Sequence, residues 1–146
     1  MDYYIHFVKR NGLVDKFNHL QENILFLAST RLLNENISLP VYLRLAQAVK
    51  GQKVGQNETI KLDKQSGLYF IKSGKAELRN DKGDILETLH RGGFGGSEDN
   101  ILKQENQLEM VFSEDSELLH APLDALMNIP IVYWKLLHIA IRRCNM

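Results

Sequence analysis

Apolar residues in the first third of the chain recur every three or four positions. The clearest series, with polar residues between its members, is Phe17, Leu20, Ile24 and Leu27. This spacing predicts an amphipathic helix. A second helix is predicted to begin at Ser38-Leu39-Pro40, because proline is favoured in a first helical turn, and to end at Gly51. Its core-facing residues are expected to be Leu43, Ala46 and Val49. Residues 1–50 should therefore form an N-terminal helical extension.

The pattern changes over residues 51–121, where apolar runs are short and turn residues recur every few positions. Apolar and polar residues alternate in several of these runs, as half-buried strands require. Asn80-Asp81-Lys82-Gly83 is a good hairpin turn. Six short strands at this spacing predict a β-roll of jelly-roll type. The strand candidates are Glu58–Leu62, Leu68–Lys72, Lys75–Arg79, Ile85–Leu89, Gln107–Ser113 and Glu117–His120.

Residues 122–146 return to a helical pattern. A short helix is predicted from Pro122 to Met127, and a second helix is predicted to begin at Pro130. The second helix is apolar nearly all round, so we expect it to be buried on more than one face. Its apolar residues are Ile131, Val132, Tyr133, Trp134, Leu136, Leu137, Ile139, Ala140 and Ile141.

Composition narrows the class of protein. Of the 146 residues, 44% are hydrophobic and 25% are charged, which is typical of a globular protein and excludes disorder over the whole chain. The chain carries 18 basic and 18 acidic residues, so a general nucleic-acid binder is not favoured. Residues 91–130, however, hold eight acidic and two basic residues.

Cysteine content and hydropathy bear on the compartment. One cysteine, Cys144, excludes an intramolecular disulfide and a zinc site built on cysteines. A reducing, cytoplasmic setting is the expectation. No apolar run approaches the length of about 18 residues that a membrane span needs, so no membrane partner is expected.

Candidate catalytic chemistry is sparse. No serine lies in a G-x-S-x-G turn, and the carboxylates are scattered or clustered in the acidic segment. A metal-dependent enzyme of the cupin type is disfavoured, because no H-x-H motif exists and His90 and His120 alone make a poor site. We therefore expect no enzyme activity, no metal and no cofactor. The glycine-rich run Gly92–Ser97 is interpreted as a tight connection rather than an anion cradle.

The predicted order of elements is N-terminal helices, a small antiparallel β-roll and a C-terminal helix pair. This order resembles that of the cyclic-nucleotide-binding domain. Four local motifs, found in the family's order over roughly residues 40–142, carry the resemblance. Leu68–Leu78 is similar to the family's paired strands, and Glu58-Thr59-Ile60 to its G-E-x-I strand, with Asn57 where glycine is frequent. Gly93-Phe94-Gly95 resembles the start of the phosphate-binding cassette, and Glu114–Leu118 the E-D-S-E-L segment.

The resemblance also implies a nucleotide-binding site, but this sequence lacks two of the residues that the family uses there. Family members that bind cyclic nucleotides use an Arg for the phosphate and a Glu for the ribose, and these positions correspond to Asn106 and Gly96 here. No Arg or Lys lies between Lys103 and Lys135. An Arg–phosphate pair is among the stronger hydrogen-bonded contacts, so we predict that cyclic AMP and cyclic GMP do not bind in the family manner. The degenerate cassette residues are Gly93, Phe94, Gly95, Gly96, Ser97 and Asn106.

The last helix is the predicted partner surface. In transcription regulators of the Crp/Fnr type the corresponding helix dimerises two effector domains, and we expect a two-fold homodimer here. The basic residues Arg142 and Arg143 are expected to flank the interface. The predicted interface residues are Tyr133, Trp134, Leu137 and Ile141.

The overall prediction is an α+β fold, with a β-roll over 51–121 and C-terminal helices over 122–146 packed with the roll as one domain. The predicted function is a non-catalytic regulatory or sensory module that acts by protein contact or dimerisation. Its pocket is expected to be closed by side chains or to hold a less anionic ligand. The alternative is the effector domain of a Crp/Fnr-type regulator, which binds DNA only if a helix-turn-helix follows Met146 in the natural gene.

Overall fold

The computed structural model describes residues 14–34 and 37–144. Two helices, α1 (Val14–Ser29) and α2 (Leu39–Ala48), precede the roll, and the expectations for residues 1–13 lie outside the described part of the chain. Proline lies in the first turn of α2, as predicted. The predicted end of α2 at Gly51 is wrong, because residues 50–54 leave the helix to pair with a later strand. Leu43 is 40% exposed, and the α2 residues that face the core are Leu45 and Ala46.

Within the described residues, eight strands form two antiparallel sheets, which confirms the predicted α+β roll. One sheet has the order β1-β8-β3-β6 and the other β2-β7-β4-β5. The predicted hairpin turn is present, with the Gly83 N–H donating to the Asn80 carbonyl at 3.0 Å. The strands are β1 (Lys50–Val54), β2 (Thr59–Leu62), β3 (Leu68–Ser73), β4 (Ala76–Arg79), β5 (Ile85–Leu89), β6 (Phe94–Gly96), β7 (Leu108–Phe112) and β8 (Ser116–Ala121).

Two strands, β1 and β6, were not predicted. Four of the five β1 residues are exposed, so this strand shows no alternation of apolar and polar positions. Strand β6 has three residues, two of them glycines, and its strand geometry comes from pairing with β3. In both cases the long-range pairing overrides the local sequence preference.

The described part of the chain has three further helices: α3 (Glu98–Leu102) between β6 and β7, then α4 (Asp124–Met127) and α5 (Pro130–Cys144). None of the described helices has the length and apolar character needed to cross a membrane. Buried residues of α5 recur at helical spacing, so one stripe of this helix packs on the domain. That stripe consists of Val132, Leu136, Ala140 and Arg143.

Buried side chains form two clusters. The first joins the N-terminal helices to the sheet containing β3 and to α5, through residues such as Leu33, Phe70 and Leu136. The second fills the interior of the roll between the two sheets. Burial of apolar surface in the first cluster holds the helices against the roll.

Candidate functional site

The segment that resembles the phosphate-binding cassette runs from β6 through α3 to the start of β7. All residues from Phe94 to Asp99 are buried. Ser97, which precedes α3, has a left-handed backbone with φ of 76°. Helix α3 has only five residues, and its first turn carries two carboxylates, Glu98 and Asp99. Negative side chains therefore occupy the end of the helix that attracts anions.

Packing constrains the glycines of the cassette. A Cβ atom on Gly96 would lie 2.0 Å from the backbone oxygen of Gly67, and φ at Gly96 is 117°. A Cβ atom on Gly95 would lie 2.7 Å from Sδ of Met110. Gly96 has no room for a side chain, whereas a side chain at Gly95 would require the Met110 side chain to shift. Packing alone therefore explains the glycine at position 96.

Glu98 is held by an ion pair that crosses the domain. Its carboxylate accepts a hydrogen bond of 2.8 Å from Nη1 of Arg143, and each residue is 2% exposed. Nη2 of Arg143 also donates to the Phe94 carbonyl at 2.8 Å and to Glu87 of β5 at 3.0 Å. Burial raises the pKa of Glu98, while the guanidinium of Arg143 opposes that rise. The end of α5 is therefore tied to the cassette and to β5.

The second carboxylate of the cassette, Asp99, is bonded to the loop between α3 and β7. Its Oδ1 atom accepts hydrogen bonds of 2.9 Å from both the backbone N–H and the side-chain Nδ2 of Asn106. The carbonyl oxygen of the Asn106 side chain accepts from Gln104 at 3.1 Å. Asn106 stands where the family resemblance places the phosphate-binding Arg. Its polar groups are used within the loop that connects α3 to β7.

The interior of the roll is filled by the chain's own side chains. Residues from both sheets contribute, and the largest include Leu78, Met110 and Phe112, each less than 1% exposed. Close packing of this kind leaves no space for a nucleotide between the sheets at these positions. The buried interior residues are Val54, Leu62, Ile71, Ala76, Leu78, Leu89, Leu108, Met110, Phe112 and Leu118.

A groove of about 740 Å³ lies beside the cassette loop and is acidic. Five acidic side chains line it, against the two basic side chains of Lys61 and Lys64. An anion entering this groove meets like charge, which disfavours its binding. The acidic lining residues are Asp63, Asp81, Asp99, Glu105 and Glu109.

The two histidines considered as metal ligands, His90 and His120, have different environments. The ring of His120 stacks on Tyr69 with centroids 4.5 Å apart, and its Nε2 contacts the Ser66 carbonyl at 2.5 Å. His90 is exposed after β5. Within residues 14–34 and 37–144, no group of three His, Cys, Asp or Glu side chains is placed to hold a metal ion.

The structure brings the predicted cassette residues together, but the groups that close the cassette were not predicted. The sequence reasoning missed Glu98, Asp99 and the role of Arg143. Arg143 was expected to flank an interface, and instead it is buried and points to Glu98. A signal was present: Arg143 lies three residues after Ala140, on the stripe that the apolar residues Val132 and Leu136 define.

The four predicted interface residues do not share one environment. Trp134 is 58% exposed and Ile141 is 41% exposed, and both lie on the outer side of α5. Leu137 is partly buried against the first core cluster, and Tyr133 is half-buried. The exposed apolar stripe of α5 thus consists of Trp134 and Ile141.

Comparisons with known proteins rest on structure alone. No protein-family model and no curated protein matches the chain. Solved structures that match include cAMP-bound PfPKA-R, with a TM-score of 0.73, 12% identity and coverage of 91% of this chain and 47% of that one. The regulatory domain of Toxoplasma gondii PKA with cAMP gives a TM-score of 0.72 and 14% identity, covering 88% and 52%.

A third match is the regulatory subunit of a cAMP-independent protein kinase A from Trypanosoma cruzi bound to guanosine. Its TM-score is 0.67 and its identity 19%, with coverage of 82% of this chain and 44% of that one. The chain thus spans about half the length of these solved chains. The likeness confirms that the chain has the cyclic-nucleotide-binding-like fold, as the four motifs predicted.

Proposed function

We propose that the chain is a non-catalytic regulatory module that does not bind cyclic AMP or cyclic GMP in the family manner and acts through protein contact. The proposal rests on one observation: the polar groups of the cassette are bonded to other groups of the same chain. We call this the closed cassette. Its two buried carboxylates, Glu98 and Asp99, are already paired with Arg143 and Asn106. A cyclic phosphate would have to displace these contacts and would then face two carboxylates.

The remaining basic residue of the cassette is a poor replacement for the phosphate-binding Arg that the resemblance implies. Lys103 is exposed and has a left-handed backbone with φ of 58° at the end of α3. A lysine ammonium lacks the planar fork with which Arg binds phosphate. Losing the bidentate pair and adding like charge both act against an anionic ligand.

The solved relatives of the fold support a regulatory role, because they are kinase regulatory domains. The Trypanosoma cruzi protein is the regulatory subunit of a cAMP-independent protein kinase A and is bound to guanosine, which has no phosphate. A ligand without an anionic group is compatible with the acidic cassette of this chain. The proposed setting is the cytoplasm.

The contact that we propose first is a homodimer through the exposed stripe of α5. Trp134 and Ile141 expose apolar surface there, and a two-fold contact brings the same stripe of both copies together. Sedimentation at high micromolar concentration tests it. A protein that stays monomeric there contradicts the dimer, and so does a dimer that Ile141→Glu leaves intact.

A thermal-shift titration with cyclic AMP, cyclic GMP and guanosine tests the ligand part of the proposal. A ligand that binds only the folded state raises the melting temperature once its concentration exceeds the dissociation constant. We expect no shift with millimolar cyclic AMP or cyclic GMP. A clear shift with either one contradicts the proposal, whereas a shift with guanosine alone identifies the less anionic ligand.

A further inference from the structure

We propose that the groove between α5 and the edge strand β5 binds an extended acidic segment of a partner protein. We call this the basic groove. The inference deepens the proposed function by naming the partner's chemistry, and it rests on protein contact being the mode of action. It concerns the outer surface of the domain and does not depend on whether the cassette binds a nucleotide.

The basic groove has a volume of about 1030 Å³. One wall is the segment from Glu87 to Phe94, which includes the end of β5. The opposite wall is α5, with Ile131 and Trp134, and the turn after α1 closes one side. Its volume accommodates several side chains of a peptide.

The charge of the basic groove is opposite to that of the acidic groove beside the cassette. Three exposed arginines line it: Arg31, Arg91 and Arg142. Among the described residues, Glu87 is the single acidic residue that lines it, and Glu87 already pairs with Arg143 at 3.0 Å and with Arg142 at 3.7 Å. Positive charge therefore remains available to an acidic partner.

The free edge of β5 favours a protein segment over other polyanions. Strand β5 ends its sheet, and its second edge has no strand partner among the described residues. An exposed edge can pair with an added extended peptide through backbone hydrogen bonds. The half-buried side chain of Ile131, which also lines the basic groove, offers apolar contact for a side chain of that peptide. A nucleic acid can stack its bases on an exposed aromatic ring, but it has no backbone groups that pair with a strand edge.

Charge also argues against other occupants. Two copies meeting groove to groove would bring like charges together. The first 13 residues of the chain contain one acidic residue and two basic residues, so they do not complement the basic groove. An acidic segment from a different protein satisfies both the charge and the strand edge.

The test is selection from a displayed library of random 12-residue peptides on the intact protein. We expect enriched peptides to be rich in Asp and Glu with at least one aromatic or aliphatic residue. Synthetic versions, measured by fluorescence anisotropy, should bind Arg31→Glu/Arg142→Glu at least tenfold more weakly. The matched control is Lys64→Glu/Lys82→Glu, which makes the same charge change in exposed turns away from the basic groove.

Each outcome decides the proposal. Acidic peptides that bind the wild type and the control, but not the arginine variant, support it. No enrichment, no acidic excess, or equal binding to the arginine variant overturns it. Binding of a single-stranded DNA oligonucleotide that is lost in the arginine variant assigns the basic groove to nucleic acid and overturns it too. A dimer that dissociates in the arginine variant but persists in Ile141→Glu assigns the basic groove to a second copy, with the same consequence. None of these results depends on the nucleotide titration.

Discussion

The cassette and the basic groove use charge in opposite ways. In the cassette, Glu98 and Asp99 are buried and bonded to groups of the same chain. In the basic groove, Arg31 and Arg142 are exposed at the surface. A buried, paired charge fixes local structure and is costly to disturb, while an exposed charge is available to a partner. On the two proposals made above, the basic groove rather than the cassette recognises anionic groups.

Removal of Arg143 should have the largest effect on the cassette. Arg143→Ala leaves the Glu98 carboxylate buried without a partner, and we expect unfolding free energy to fall by about 3–5 kcal/mol. Urea denaturation measures this. Arg142→Ala is the matched control, because Arg142 is 62% exposed, and it should cost at most about 0.5 kcal/mol. Equal losses in both variants would contradict the role of the buried pair.

The pH dependence of Arg143→Ala supplies an independent check. Burial already raises the pKa of Glu98, and loss of Arg143 removes a group that lowers it. When the folded pKa is the higher one, the folded state binds more protons, so stability falls as pH rises between the unfolded and folded pKa values. The loss of unfolding free energy in Arg143→Ala should therefore be smaller near pH ~4 than at neutral pH. Glu98→Gln/Arg143→Ala should lose this dependence.

A side chain at Gly96 should also destabilise the cassette. Gly96→Ala combines a positive φ with a Cβ that would lie 2.0 Å from a backbone oxygen, so we expect a loss of about 3 kcal/mol. Gly83→Ala is the control, since φ there is 82° but no atom lies within 4 Å, and its cost should be about 1 kcal/mol. If the two variants melt at the same temperature, the close approach at Gly96 is unimportant.

Loss of Asp99 should have a smaller effect. Asp99→Ala removes two hydrogen bonds of 2.9 Å to Asn106, and we expect unfolding free energy to fall by about 1–3 kcal/mol. Glu105→Ala, on an exposed residue of the same loop, should change it by no more than about 0.5 kcal/mol. An unchanged melting temperature for Asp99→Ala would mean that the loop is not held by this carboxylate.

The reaction rate of the Cys144 thiol measures how well the end of α5 is packed, and this test needs no substitution. Burial, with smaller contributions from Glu98 and Asp99, raises its pKa to about 11. At pH 8 the folded protein should therefore hold roughly a hundredfold less thiolate than an ordinary cysteine, and it should react slowly with a disulfide reagent. The same protein unfolded in urea is the control. Similar rates in both states would show that α5 is open at this end.

More of the roll than of the candidate site could be predicted from the sequence, for physical reasons. Strands such as Ile85–Leu89 alternate in polarity and were found, whereas β6 depends on pairing with β3 and was not. That Asn106 stands where the resemblance places an Arg could be recognised from the sequence alone. The ion pair between Glu98 and Arg143 joins residues 45 positions apart, and no local pattern links them. Charge counted along segments also concealed the basic groove, because its arginines come from three separate parts of the chain.

The most direct test of the closed cassette is a calorimetric titration of the intact protein with cyclic AMP. We predict no saturable heat at millimolar ligand, because the cassette carboxylates are paired internally and the Arg position holds Asn106. A saturable isotherm with a micromolar or tighter dissociation constant would contradict the account.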